Sequence, residues 1–176
     1  MEPFWVKSYP ENVPGDINLK KFATILELAD KAITEHGPKK AFTNFGHSLS
    51  FDDVNRLSLR FASFLQNNIR LKKGDAIALM LPNLLQYPVA LLGALRAGLT
   101  IVNVNPLYTP RELRYLLKES EARAIVILEN FGKTLEEVLP DTFVEQVLLT
   151  RMGDLLPFPK SALINFVVKH VKKMVP

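Results

Sequence analysis

Between Ala76 and Leu149 the chain alternates short aliphatic runs with helical patterns, and this alternation restricts its fold more than any other feature. Ala76 to Leu81 is a continuous aliphatic run, and Leu99 to Val104, Ala124 to Leu128 and Val144 to Leu149 are further apolar strands, as expected of a sheet covered on both faces. Helical segments separate them. Tyr87 to Ala97 has Pro88 in its first turn and Gly98 just beyond its end. Thr109-Pro110-Arg111-Glu112 opens the next helix, with Thr109 as cap, Pro110 at the first helical position and Glu112 placed to answer the cap. Leu113, Leu116 and Leu117 form its apolar stripe, and Thr134 to Leu139 is a shorter helix. The expected fold class is therefore α/β, with a mostly parallel sheet and helices on both faces.

Three segments follow from this pattern: an irregular lead-in over 1–20, an α/β unit over 21–150, and a loop with a basic amphipathic helix over 151–176. Within the α/β unit, a helix capped by Thr24 places Ile25, Leu28, Ala29, Ala32 and Ile33 on one face, and His36-Gly37-Pro38 stops it. Ala41 to Phe45 and Ser48 to Phe51 flank Gly46-His47 closely enough for a hairpin with His47 in its turn. A second helix begins near Asp52, with Val54, Leu57, Phe61, Phe64 and Leu65 as its stripe and Lys73-Gly74-Asp75 as the turn that ends it.

The apolar region Ala76 to Val104 carries a single charge, Arg96, and is long enough to cross a bilayer. Pro82-Asn83, Pro88 and Gly98 divide it into strand, helix and strand, so a spanning helix is not expected. The N-terminus lacks the basic start and unbroken apolar stretch of a secretory signal. With no cysteine, disulfides, thiolate metal sites and cysteine nucleophiles are excluded. A cytoplasmic location is expected.

The formal charge is +4, with 22 basic and 18 acidic residues, but from Lys160 onward there are four lysines (Lys160, Lys169, Lys172, Lys173) and no acid. The body is balanced. Nucleic-acid binding is not expected, because such proteins spread Lys and Arg over a face interleaved with aromatics. The basic segment carries Leu163, Phe166, Val167, Val171 and Met174 at helical spacing beside Lys169, Lys172 and Lys173. Two readings stand: a helix lying peripherally on the inner face of an anionic membrane, or a core helix with a solvated lysine edge.

The glycine-rich nucleotide loops, the nucleophile elbow and the zinc-protease helix have no counterpart. His36 falls at a helix end, His47 in a turn, and His170 on or beside the last apolar stripe, where it reads as a core or groove histidine. Asp52-Asp53 and Glu136-Glu137 are adjacent pairs whose side chains diverge, so they do not converge for acid–base work. No catalytic, cofactor-binding or metal-ligating residue is assigned. Loops after strand carboxyl ends are the usual ligand edge of a parallel sheet, which singles out Asn83, Asn103, Asn105 and Tyr108 as substrate-side candidates. Ordinary turn chemistry is the competing account of the same residues.

Two stretches carry a resemblance. One runs from Leu71-Lys72-Lys73-Gly74-Asp75 through Leu81-Pro82-Asn83 and Gln86-Tyr87-Pro88 to Leu95-Arg96-Ala97-Gly98. The other is Val102-Asn103-Val104-Asn105-Pro106-Leu107-Tyr108-Thr109-Pro110-Arg111-Glu112-Leu113. Together they resemble the large N-terminal domain of the adenylate-forming acyl-CoA synthetases, most closely the bacterial long-chain fatty acid–CoA ligases. Leu49-Ser50-Phe51 is similar to an early element of that superfamily, with Phe51 in place of its Tyr and no matching Glu-Leu.

The resemblance implies a longer protein that uses ATP, Mg²⁺ and coenzyme A to convert a long-chain fatty acid to its thioester. The family's phosphate loop, nucleotide-binding motifs and catalytic lysine have no counterpart here, so this chain alone is expected to be inactive and to bind none of these cofactors. Its expected partners are the fatty acid, the C-terminal remainder of the same polypeptide and, through self-association, further copies of itself. The alternative is a stand-alone α/β module that binds an apolar ligand or a partner helix.

Overall fold

The computed structural model describes residues 4–18, 21–172, 174 and 175. Four parallel strands, β3 (Ala76–Met80), β4 (Thr100–Asn103), β5 (Ala124–Leu128) and β6 (Gln146–Thr150), form one sheet in the order β4-β3-β5-β6. The connection from β3 to β4, through α3 (Gln86–Arg96), runs outward in one direction. The next, through α4 (Pro110–Glu119), reverses it to reach β5, and α5 (Gly132–Val138) continues the same way to β6. Right-handed crossovers require connections of opposite direction to lie on opposite faces.

The core follows that division. Ile77, Leu79, Val126 and Leu128 point to one face and pack with Ala90 and Ala94 of α3 and with Ala62 and Leu65 of α2 (Phe51–Asn67). Ala78, Met80, Ile125 and Ile127 point to the other and meet Leu113 and Leu117 of α4 and Leu135 and Val138 of α5. Each fully buried aliphatic side chain contributes roughly 1.5–3 kcal/mol relative to exposure. At the amino end of the sheet, Arg123 ties β3 to β6 through Asp75 (3.2 Å) and Glu145 (2.7 Å). Glu145 is the main reason that the Arg123 guanidinium is held above its ordinary pKa.

The caps at α1 (Ile25–His36) and α4 are those the sequence predicts, and the structure adds a third, at α2. Thr109 and Glu112 form a reciprocal capping box at α4, and Ser50 and Asp53 form another at α2. At α1, Thr24 accepts from the Glu27 amide while the Glu27 carboxylate reaches back one residue further, to the Ala23 amide. Gly98, at φ 77°, terminates the α3 region in the left-handed conformation.

Several expectations are corrected. The hairpin pairs β1 (Lys40–Asn44) with β2 (His47–Ser50), but His47 is the first residue of β2, opposite Asn44. The turn is Phe45-Gly46, both at positive φ, the geometry that matches strand twist. Helix α2 ends at Asn67, well before Lys73-Gly74-Asp75. There Asn68 and Ile69 both donate to Phe64 O, Arg70 takes φ 62° and Leu71 donates to Leu65 O. The buried face of α2 is Val54, Ser58, Ala62 and Leu65, so Phe64 sits at its exposed margin.

None of α1 is fully buried. Its apolar face lines an open hollow against Phe42, Phe51 and α3. The sheet, too, is covered unevenly: β3 and β5 are buried almost throughout, whereas β6 alternates and leaves Leu149 63% exposed.

The last helix, α6 (Lys160–Phe166), passes into a π-helical turn at Val167–Val171. Its expected stripe faces outward. Val168 is 7% exposed and fixes the inner side, whereas Leu163 and Phe166 are 62% and 57% exposed. His170 is accordingly exposed rather than a core residue, with its ring 5.0 Å from that of Phe166, and it lines a surface hollow. Lys173 lies outside the described residues. No helix among those described is long and apolar enough to cross a membrane.

Candidate functional site

The carboxyl ends of all four parallel strands open on one edge of the molecule. Because the connections leaving β3 and β5 pass to opposite faces, the crevice outside these two strands is the topological switch point, where open α/β sheets take their ligands. Leu81-Pro82-Asn83 lines one side of it and Glu129-Asn130 the other.

Asn83 is exposed, and its carbonyl accepts a 2.9 Å hydrogen bond from Asn44 Nδ2, which fastens the hairpin to the loop after β3. Asn103, the last residue of β4, accepts from the Tyr87 hydroxyl at 3.0 Å. Asn105 closes its own turn, its side-chain oxygen accepting from the Leu107 amide and its carbonyl from the Tyr108 amide. Tyr108 packs against the α4–α5 side of the core. The structure thus brings Asn83 and Asn103 to the same edge, each bonded to a neighbouring element, while Asn105 and Tyr108 shape the loop between β4 and α4.

Sequence reasoning passed over the ends of the other two strands. Glu129 follows β5, and one carboxylate oxygen lies 3.5 Å from Arg151 Nε, at the end of β6. Its other oxygen, with Asn130 Oδ1, is buried and has no hydrogen-bond partner among the described residues. Two adjacent buried acceptors without donors are uncommon and mark a place where a donor is wanted. Gln86 bridges from the start of α3 to the Arg151 carbonyl (2.7 Å), and Asp154 accepts from the Thr150 hydroxyl and the Arg151 amide. The strand-end rule that singled out Asn83 and Asn103 would have found these residues had it been applied to β5 and β6.

Two hollows flank this edge. One, of about 450 Å³, lies between α2, α3 and β6, lined mainly by apolar side chains including Phe61, Phe64, Val89, Val126 and Leu148. The other, of about 320 Å³, is polar and lies between Glu129, Arg151 and the helical segment bearing Asn165, Lys169 and His170. Among the described residues no group of three or more His, Asp or Glu converges to hold a metal. The edge can orient hydrogen-bonding groups beside an apolar wall.

A sequence model described as AMP-binding enzyme matches residues 29–174. The long-chain-fatty-acid–CoA ligase of Haemophilus influenzae is 52% identical over 176 residues, all of this chain and 31% of that protein. Its counterpart in Salmonella typhimurium is 50% identical over the same span, again 31% of that protein. Among solved structures, a benzoate CoA ligase from Burkholderia xenovorans aligns with a TM-score of 0.65 at 26% identity, over 70% of this chain and 25% of that one. The chain therefore spans about a third of the length of the curated relatives it matches.

Proposed function

Because the chain belongs to the AMP-binding enzyme family, whose match runs over residues 29–174, we propose that the full-length protein is a long-chain fatty acid–CoA ligase. The observation that carries this reading is the 52% identity, over the whole of these residues, to a relative of that name. In the reaction, a carboxylate oxygen of the fatty acid attacks the α-phosphorus of ATP and pyrophosphate leaves. The thiolate sulfur of coenzyme A then attacks the acyl carbonyl and AMP departs. Both steps need donors that stabilise developing oxyanion charge.

These residues contribute position rather than reacting groups. The sheet holds a rigid edge, and Asn83, Asn103, Asn105 and Tyr108 shape its loops on the side where substrate would approach. Glu129 and Asn130 offer buried acceptors to a donor arriving at the switch point. The Mg²⁺ that accompanies ATP would be held elsewhere in the longer protein, since the described residues supply no ligand cluster. The enzyme would work in the cytoplasm and meet its amphiphilic substrate at the inner face of the cell membrane.

The test is acyl-CoA formation by the full-length protein, with palmitate and acetate compared. ATP-dependent palmitoyl-CoA synthesis with little turnover of acetate is expected; failure to form palmitoyl-AMP or palmitoyl-CoA overturns the reading. Residues 1–176 alone should give no ATP–pyrophosphate exchange, and measurable exchange would show that the reacting groups had been misplaced.

A further inference from the structure

We infer that the outward face of α6 and the π-helical turn after it is a docking surface for anionic phospholipid, deepening the proposed encounter with the membrane and resting on that reading. Four observations converge. The inner side of the segment is fixed: Val168 is buried, Asn165 Oδ1 accepts from the Gly153 amide at 2.7 Å, and Asn165 Nδ2 reaches Asp154 Oδ1 at 3.2 Å. Its far end is held as well, since Asn130 Nδ2 donates to the Met174 carbonyl at 3.0 Å. The helix cannot roll its apolar stripe inward without breaking these contacts.

What faces out is apolar. Phe158, Leu163, Phe166, Val171 and Met174 are all more than half exposed. Exposed side chains of this size, three of them on α6 and its π-helical turn and one in the chain on either side, mark an interaction surface rather than ordinary surface scatter.

The third observation is charge. Lys169 and Lys172 are exposed beside the stripe, and no acidic residue occurs from Leu155 onward. His170 lies between them, its ring tilted 39° against that of Phe166. Lysines interleaved with large apolar groups are the pattern of helices that lie in the lipid interface, where the apolar face enters the acyl boundary and the ammonium groups meet phosphate. A protein cover over the same face would have to bring its own acids.

Geometry supplies the fourth. The polar hollow between Lys169, His170 and Arg151 adjoins Glu129 at the carboxyl edge of the sheet. Docking this face on a bilayer would therefore bring the candidate site close to the lipid from which a fatty acid is drawn.

The test uses the full-length protein in vesicle flotation, with phosphatidylcholine alone and with phosphatidylglycerol added, at low and high salt. Expected is co-flotation with the anionic vesicles only, lost at high salt. Binding should weaken about fivefold per lysine, so roughly thirtyfold in Lys169→Ala/Lys172→Ala, from the contribution of about 1 kcal/mol per lysine near an anionic surface. Phe166→Ser should weaken it also, while leaving the thermal unfolding midpoint unchanged. No flotation, or flotation insensitive to these substitutions, overturns the inference. So does a Phe166→Ser variant that lowers the unfolding midpoint without altering vesicle binding, because the rest of the polypeptide would then be covering the face. Palmitoyl-CoA formation from detergent-dispersed palmitate, measured in parallel, reports on the ligase reading independently of the membrane.

Discussion

Single side chains decide the site and its supports. Glu129 carries a buried oxygen with no donor among the described residues, and its bond to Arg151 is long at 3.5 Å, so the carboxylate is held by position more than by pairing. If it accepts a hydrogen bond from substrate or from another part of the ligase during turnover, Glu129→Gln in the full-length enzyme should lower kcat/KM about tenfold, the value of one charged hydrogen bond. The unfolding midpoint should move little; unchanged kcat/KM would remove Glu129 from the site. Asp53 has a structural part. Hydrogen bonds from Arg56 first, and then from Ser50, hold its carboxyl below the ordinary carboxylate range. A depressed folded-state pKa contributes stability that is present above the unfolded value and is lost as pH falls through the folded one. The stability difference between the parent and Asp53→Ala should therefore be widest near neutrality and narrow on acidification below that range. Urea titrations at several pH values measure it, and a gap that grew with acid would contradict the capping account. Ser50→Ala, which removes the other half of the box, should cost about 1 kcal/mol.

At the scale of elements, α2 and α3 form the tightest joint. Gly93 lets them close: a methyl group there would stand 2.7 Å from Phe61 Cδ1 and 3.0 Å from the Ser58 carbonyl oxygen. Alanine in place of glycine within a helix ordinarily gains up to about 1 kcal/mol, but overpacking costs about 1–3 kcal/mol when backbone must yield. Gly93→Ala should thus be net destabilising in urea, and a gain in stability would mean that the helices separate freely. Near this joint, Arg96 bonds Asp30 of α1 and Asn55 and Ser58 of α2, an anchor for a helix that buries little of itself. Some of this was legible beforehand. Thr109, Pro110 and Glu112 announce the start of α4 because the cap chemistry is local to four residues. The end of α2 was not legible, because Arg70 adopts the left-handed conformation without the glycine that usually signals it. The orientation of α6 was hidden for another reason. Periodicity defines a stripe but not which way it faces, and the inward contacts come from Asn165 and Val168, which do not belong to the apolar stripe. Glu129, Asn130 and Arg151 follow strand ends that the sequence shows, but no motif joins them, and it is the strand order β4-β3-β5-β6 that brings their loops together.

Among the described residues the sheet has two edges, β4, paired only with β3, and β6, paired only with β5, and β6 is the one that exposes large apolar side chains. β3 and β5 are enclosed by helices on both faces, whereas β6 has only β5 as a neighbour and leaves Val147 and Leu149 exposed. An unpaired strand edge with apolar side chains is a template for another strand, and proteins ordinarily protect such edges with charge, a bulge or a covering element. Among the described residues nothing of that kind is present on β6, whose five residues are Gln-Val-Leu-Leu-Thr. Relatives of this chain are about three times its length, so a longer polypeptide has ample material to complete the sheet and to fill the 450 Å³ hollow beside it. Residues 1–176 prepared alone should therefore associate. Their weight-average mass in sedimentation equilibrium should rise with concentration, and Leu149→Lys, which puts a charge on the open edge, should shift the distribution toward monomer without lowering the unfolding midpoint. The same substitution in the full-length protein should have the opposite character, burying a charge and reducing stability by several kcal/mol. A monomeric parent at high concentration, or a full-length Leu149→Lys protein as stable as its parent, would mean that β6 is a true outer edge and that the sheet is complete as it stands.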